Sequence, residues 1–166
     1  MLFRSETSAQ IAQTLANPYR HRIAMSVRKV FADKLIEPGP MAGRQIIRSL
    51  KETGGLSMAG DEYMNGELLA PSFGRPLHLD GNLGRAVRLA KITGAIIIPY
   101  YCLRIKGAHF QMHLTPYLDL DFTGEDYLEK GVQTLDDIIT PIIVANIDQW
   151  LMLDNFKVPA GVKIKK

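Results

Sequence analysis

Arg75 stands in a turn bounded by proline and glycine, P-S-F-G-R-P at 71–76. Such a backbone is stiff and presents its side chain, and a guanidinium fork matches phosphate or carboxylate in two-point contacts. The competing reading is a surface arginine paired with a neighbouring acid. Asp61 follows the apolar stretch L-S-M-A-G at 56–60, the strand-end position where open α/β sheets bind ligands. A helix cap or turn aspartate has the same local signature. His109 and His113 share a strand face, but four residues of strand hold them ~13 Å apart, too far for one ion, and they read as surface histidines. Cys102 is the sole cysteine and falls late in an apolar run. It reads as a small buried hydrophobe, since a nucleophile needs a histidine partner and an electropositive setting. The chain has no G-x-S-x-G elbow, no Walker loop and no G-x-G-x-x-G after a strand. No cofactor and no metal are expected.

Around these residues the sequence lays out alternating helices and strands. Ile11, Leu15, Ile23, Val27 and Val30 have a mostly helical spacing over 8–32, with Asn17-Pro18 marking a helix start inside it. E-P-G-P at 37–40 is a loop. In the next helix Ile46, Ile47 and Leu50 form one stripe while Arg44, Arg48 and Lys51 share another face, and Gly54-Gly55 stops it. Asp80 is expected to cap a helix from Gly81 or Asn82, with Leu83, Ala86, Val87 and Ala90 inward and Gly94 at its end. A-I-I-I-P-Y-Y-C-L (95–103) does not alternate and reads as a strand covered on both faces. H-F-Q-M-H-L (109–114) does alternate. Thr123 with Asp126 has the spacing of a capping box, and the helix after it is expected to kink or break at Pro141. Q-W-L-M-L-D-N-F closes the pattern as a last short strand. The order predicts an α/β fold, a mainly parallel sheet flanked by helices.

The 166 residues fit one domain, and the 46% hydrophobic content supports a packed core. No run approaches the ~20 apolar residues that cross a bilayer. Arg4, Glu6 and Gln10 break up any leader-like apolar stretch. The net charge of +3 is uneven: residues 1–51 hold nine Lys/Arg against three acids. A basic first third suits an anionic surface such as phospholipid. Nucleic acid is not expected, because no RNP, helix-turn-helix or zinc pattern accompanies the charge.

The order of segments then resembles a known family. G-R-Q-I-I-R-S-L-K-E-T-G-G-L-S-M-A-G-D, P-S-F-G-R-P, L-G-R-A-V-R-L-A-K-I-T-G-A-I-I-I-P and I-D-Q-W-L-M-L-D-N-F-K-V-P together resemble the C-terminal half of the bacterial lipid A biosynthesis acyltransferases, the late lauroyl/myristoyl transferases, over roughly 40–162. The resemblance implies a glycerolipid-acyltransferase-like fold, with 1–166 a single domain that is the C-terminal portion of one and lacks its N-terminal part. It implies acyl transfer from acyl carrier protein to a hydroxyl of a lipid A precursor or related glycolipid, peripherally at the cytoplasmic face of the inner membrane. Arg75 then borders the cleft and faces the phosphate of the lipid acceptor or carrier, and Asp61 matches the family's acidic substrate-binding position after the preceding strand. L-F-R at 2–4 matches the strand after the catalytic helix, which makes Arg4 a third substrate-binding residue.

The catalytic pair of that family is H-x-x-x-x-[D/E]: histidine takes the acceptor hydroxyl proton and the carboxylate orients and stabilises the imidazolium. The residues at that spacing here are Ser26 after His21, Leu83 after His78, Leu114 after His109 and Leu118 after His113. None is acidic, so no catalytic residue is assigned. Asp154-Asn155 also replaces the family's histidine and arginine near the end, while Lys157 keeps its lysine. The expectation is a truncated or split acyltransferase; the alternative is a non-catalytic module that binds lipid or acyl carrier protein.

Overall fold

The structure, a computed structural model, describes residues 9–155 except 13, 16 and 65. Arg4 and Lys157 lie outside the described residues. The chain forms two compact units, Met1–Ala59 with Lys91–Ala95, and Gly60–Ala90 with Ile96–Lys166.

The first unit is a small parallel sheet with helical crossovers. Strands β1 (Ala9–Ile11), β2 (Lys34–Ile36) and β3 (Leu56–Ser57) lie in the order β2-β1-β3, both pairings parallel. Helices α1 (Pro18–Phe31) and α2 (Ala42–Thr53) make the connections, as parallel neighbours require. The helical spacing read over 8–32 therefore holds only from residue 18; Ala9–Ile11 is strand. Asn17 caps α1, its Oδ1 accepting from the N–H groups of Tyr19 (3.0 Å) and Arg20 (3.1 Å), with Pro18 at the first helical position. Gly54 ends α2 at φ +73°, a left-handed conformation that glycine adopts freely.

The second unit departs from the expected sheet. Its strands β4 (Glu62–Met64), β5 (Glu67–Ala70), β6 (Tyr100–Lys106) and β7 (His109–Leu114) form two antiparallel pairs. The turn between β6 and β7 is only Gly107-Ala108, and a two-residue link permits antiparallel pairing alone. The apolar run at 95–103 is thus not a strand covered on both faces: β6 begins at Tyr100, Ile96 and Ile98 are exposed, and so is Cys102.

Two helices, α3 (Asn82–Thr93) and α4 (Tyr127–Ala145), supply the core of this unit through Leu83 and Val87 against Val132 and Leu135. They approach closely at Gly131, where a Cβ would meet Val87 Cγ1 at 2.8 Å. Asp80 does not cap α3. It pairs with Arg88 at 2.9 Å, and Glu62 accepts from the Asn82 N–H at 2.7 Å. Thr123 is no capping box either: its hydroxyl and N–H both donate to Asp121 (2.7 and 2.9 Å), and α4 starts four residues later. The lost bond at Pro141 does not break α4, which continues to Ala145. The expected closing strand is instead two 3-10 turns, Ile147–Gln149 and Leu151–Asn155.

Candidate functional site

The arginine turn is held by several hydrogen bonds of its own. The Arg75 N–H donates to Ser72 O at 3.1 Å, closing a four-residue turn. Its central residues Phe73 and Gly74 have φ of +51° and +81°, the mirror-image turn pattern. Glycine adopts this without strain, whereas phenylalanine gives up roughly 1–2 kcal/mol. Phe73 is held by the edge of Trp150, ring centroids 5.6 Å apart at 70°, an arrangement worth ~0.5–1.5 kcal/mol. The turn is fastened at its base by Asp136 of α4. This carboxylate is 4% exposed. It accepts from the Ser72 N–H at 2.7 Å and the Ser72 hydroxyl at 2.6 Å, with Thr140 Oγ1 at 3.4 Å. The Ser72 hydroxyl in turn accepts from the Gly74 N–H at 3.2 Å.

Asp61 reaches the same cluster. Its Oδ2 accepts from Trp150 Nε1 at 3.2 Å, across 89 residues of sequence. Three of the four segments that carried the resemblance therefore meet: the acid after β3, the arginine turn and the closing Q-W pair. Trp150 and Asp136 were not singled out as site residues from the sequence. Trp150 is the only tryptophan. Asp136 sits on the inward stripe of α4 beside Val132, Leu135 and Ile139; an acid on an apolar stripe marks a buried, hydrogen-bonded anchor.

Arg75 itself is exposed. Its Nε donates to Ser72 O at 2.8 Å and its Nη2 to Pro71 O at 3.1 Å. These bonds fix the plane of the guanidinium and leave Nη1 and one Nη2 hydrogen for other acceptors. No carboxylate among the described residues pairs with it, in contrast to Arg48, Arg85 and Arg88. Beside the turn lies an open cavity of about 340 Å³, lined by Ser72, Gly74 and Arg75 on one side and by Gln133, Asp136, Asp137, Thr140 and Pro141 of α4 on the other. It is polar, and its two carboxylates are already engaged: Asp136 by Ser72, Asp137 by Gln133 Nε2 at 2.8 Å. An anion therefore meets Arg75 best from the solvent side of the turn, away from Asp137.

The remaining reactive side chains are elsewhere. His113 stacks on Tyr101, centroids 4.8 Å apart, and its Nε2 is buried with no partner among the described residues. His109 is at the far end of β7, paired with Lys106. Among the described residues no three His, Cys, Asp or Glu side chains gather as a metal site, and no helix is long and apolar enough to cross a membrane.

The arginine turn is thus fastened between a buried carboxylate and a tryptophan, with Arg75 exposed. The chain belongs to the bacterial lipid A biosynthesis acyltransferase family, whose sequence model matches residues 1–157. That span extends the motif-based resemblance, first read over 40–162, to the beginning of the sequence. No curated protein matches the chain significantly.

Proposed function

We propose that this chain is the substrate-holding portion of an acyltransferase that moves a fatty acyl group from acyl carrier protein to a hydroxyl of a lipid A precursor or related glycolipid, at the cytoplasmic face of the inner membrane. The observation that carries the reading is the convergence of Asp61, Trp150 and the Arg75 turn, all within the span matched by the family. In this reading the free edge of the Arg75 guanidinium takes the acceptor or carrier phosphate in a two-point contact. Asp61 holds Trp150, and Trp150 holds Phe73, so that the fork points outward.

The reaction is attack of the acceptor oxygen on the thioester carbonyl, with loss of the carrier thiol and removal of the hydroxyl proton by a base. No histidine of this chain has an acid at the required spacing, so the base is assigned to residues outside these 166. The same observation favours a second reading, a binding module without turnover. Both predict that the chain alone, mixed with labelled acyl carrier protein and lipid A precursor, forms no ester above the protein-free rate. General-base help is worth ~10²–10⁴-fold, so clear turnover would refute the assignment. Adding a polypeptide that bears the histidine–carboxylate pair separates the two readings, since only the first gains activity.

A further inference from the structure

Helix α1 carries an apolar stripe that is largely exposed among the described residues. Tyr19, Ile23, Val27 and Val30 are 74%, 64%, 53% and 74% exposed. At ~100° per residue the four fall within roughly 80° of the helix circumference. The sequence reading gave Ile23, Val27 and Val30 a helical spacing without saying which way they face; the helix turns them outward. Arg20 borders the stripe on one flank, Arg22 and Lys29 on the other. None of these three is paired with an acid among the described residues, and α1 itself has no acidic residue. At 14 residues the helix is too short to span a bilayer.

We infer that α1 lies flat in the surface of an anionic lipid bilayer, with Tyr19, Ile23, Val27 and Val30 among the acyl chains and Arg20, Arg22 and Lys29 on the headgroup phosphates. An apolar stripe with cationic margins and no acid is the pattern of an interfacial helix. Charge complementarity selects the occupant. A second copy would bring the same cations face to face, and a neutral surface would leave all three uncompensated. The inference deepens the membrane part of the functional reading and rests on it, but it names one helix that can be tested apart from acyl transfer.

The test is flotation of the whole chain with phosphatidylcholine vesicles, with and without phosphatidylglycerol, at low and high salt. The unaltered protein should float only with the anionic vesicles and release as salt rises. Arg20→Gln, Arg22→Gln and Lys29→Gln should each weaken partitioning about fivefold, and Ile23→Ser about tenfold or more. In the unaltered protein, anionic vesicles should slow hydrogen exchange in Pro18–Phe31 and leave the β6–β7 hairpin unchanged. That measurement needs no variant to fold. Several results overturn the inference: equal flotation with neutral vesicles, protection confined to the hairpin, and binding that Ile23→Ser leaves intact while the glutamine variants abolish it. The last marks an acidic macromolecular partner or simple charge adsorption. Self-association lost in Ile23→Ser would identify a second copy and also overturn it. Flotation that survives all α1 variants removes the helix but leaves a membrane role standing, whereas no flotation of the unaltered protein removes both; acyl transfer is measured separately.

Discussion

Asp136→Ala removes the fastening of the arginine turn. In the folded protein this buried carboxylate accepts two short bonds from Ser72, at 2.7 Å from the N–H and 2.6 Å from the hydroxyl. Both are charge-assisted, worth ~1.5–3 kcal/mol each. The alanine leaves the Ser72 N–H without its carboxylate partner on the wall of the open cavity. The hydroxyl retains only its bond from the Gly74 N–H. Collapse around a small cavity recovers part of the loss, so the net destabilisation should be about 3–5 kcal/mol. For a chain of this length, each kcal/mol moves the melting temperature by ~2–4 °C, which puts the shift near 10 °C. Asp136→Asn keeps the shape but turns an amide toward a donor, and should lose about half as much. Urea unfolding followed by tryptophan fluorescence reads both global stability and the environment of Trp150, which packs on the turn through Phe73. A midpoint shift with unchanged slope identifies a stability effect. A loss below ~1 kcal/mol for Asp136→Ala would refute the claim that this carboxylate holds the turn.

Trp150→Phe and Asp61→Ala should each destabilise by about 1–2 kcal/mol, and the double variant by less than their sum, because the 3.2 Å bond between them is then lost only once; strict additivity in a denaturation series would show that the pair does not interact. Asp121 is exposed and held below the usual carboxylate range, first by the Thr123 hydroxyl and then by the Thr123 N–H. Its folded value lies below its unfolded one, so its contribution is present above the unfolded value and disappears as pH falls through the folded value. Thr123→Val should therefore flatten the acid limb of the stability profile and leave the low-pH end unchanged, as checked by melts across pH. A variant profile parallel to the wild type would contradict this.

The parts of the fold legible in the sequence are those set by local chemistry. Asn17-Pro18 starts α1 and Gly54 stops α2 because capping and left-handed φ depend on neighbouring residues only. The parallel first sheet follows from long helical crossovers. Readings failed where distant partners decide. The run at 95–103 has the composition of a buried strand, yet β6 pairs only with β7 through a two-residue turn. Asp80 has a capping identity, but Arg88 and Glu62 compete for the same corner and win. The α1 stripe has the right spacing, and spacing alone cannot say which way a stripe faces. At the site, Arg75 and Asp61 stood out through turn chemistry and strand position. Their bracing by Asp136 and Trp150 spans 64 and 89 residues, separations at which no local pattern operates.

Calorimetric titration of a phosphorylated lipid A precursor into the wild-type chain and into Arg75→Lys tests the proposed site most directly. Lysine keeps the charge but loses the fork and its bonds to Ser72 O and Pro71 O. A charge-assisted hydrogen bond is worth ~1.5–3 kcal/mol, so affinity should fall roughly 10- to 150-fold. Arg48→Lys, on an exposed helix face of the first unit, should bind like wild type. Equal affinity in the wild type and Arg75→Lys would contradict the account and reduce Arg75 to a residue that stiffens its own turn.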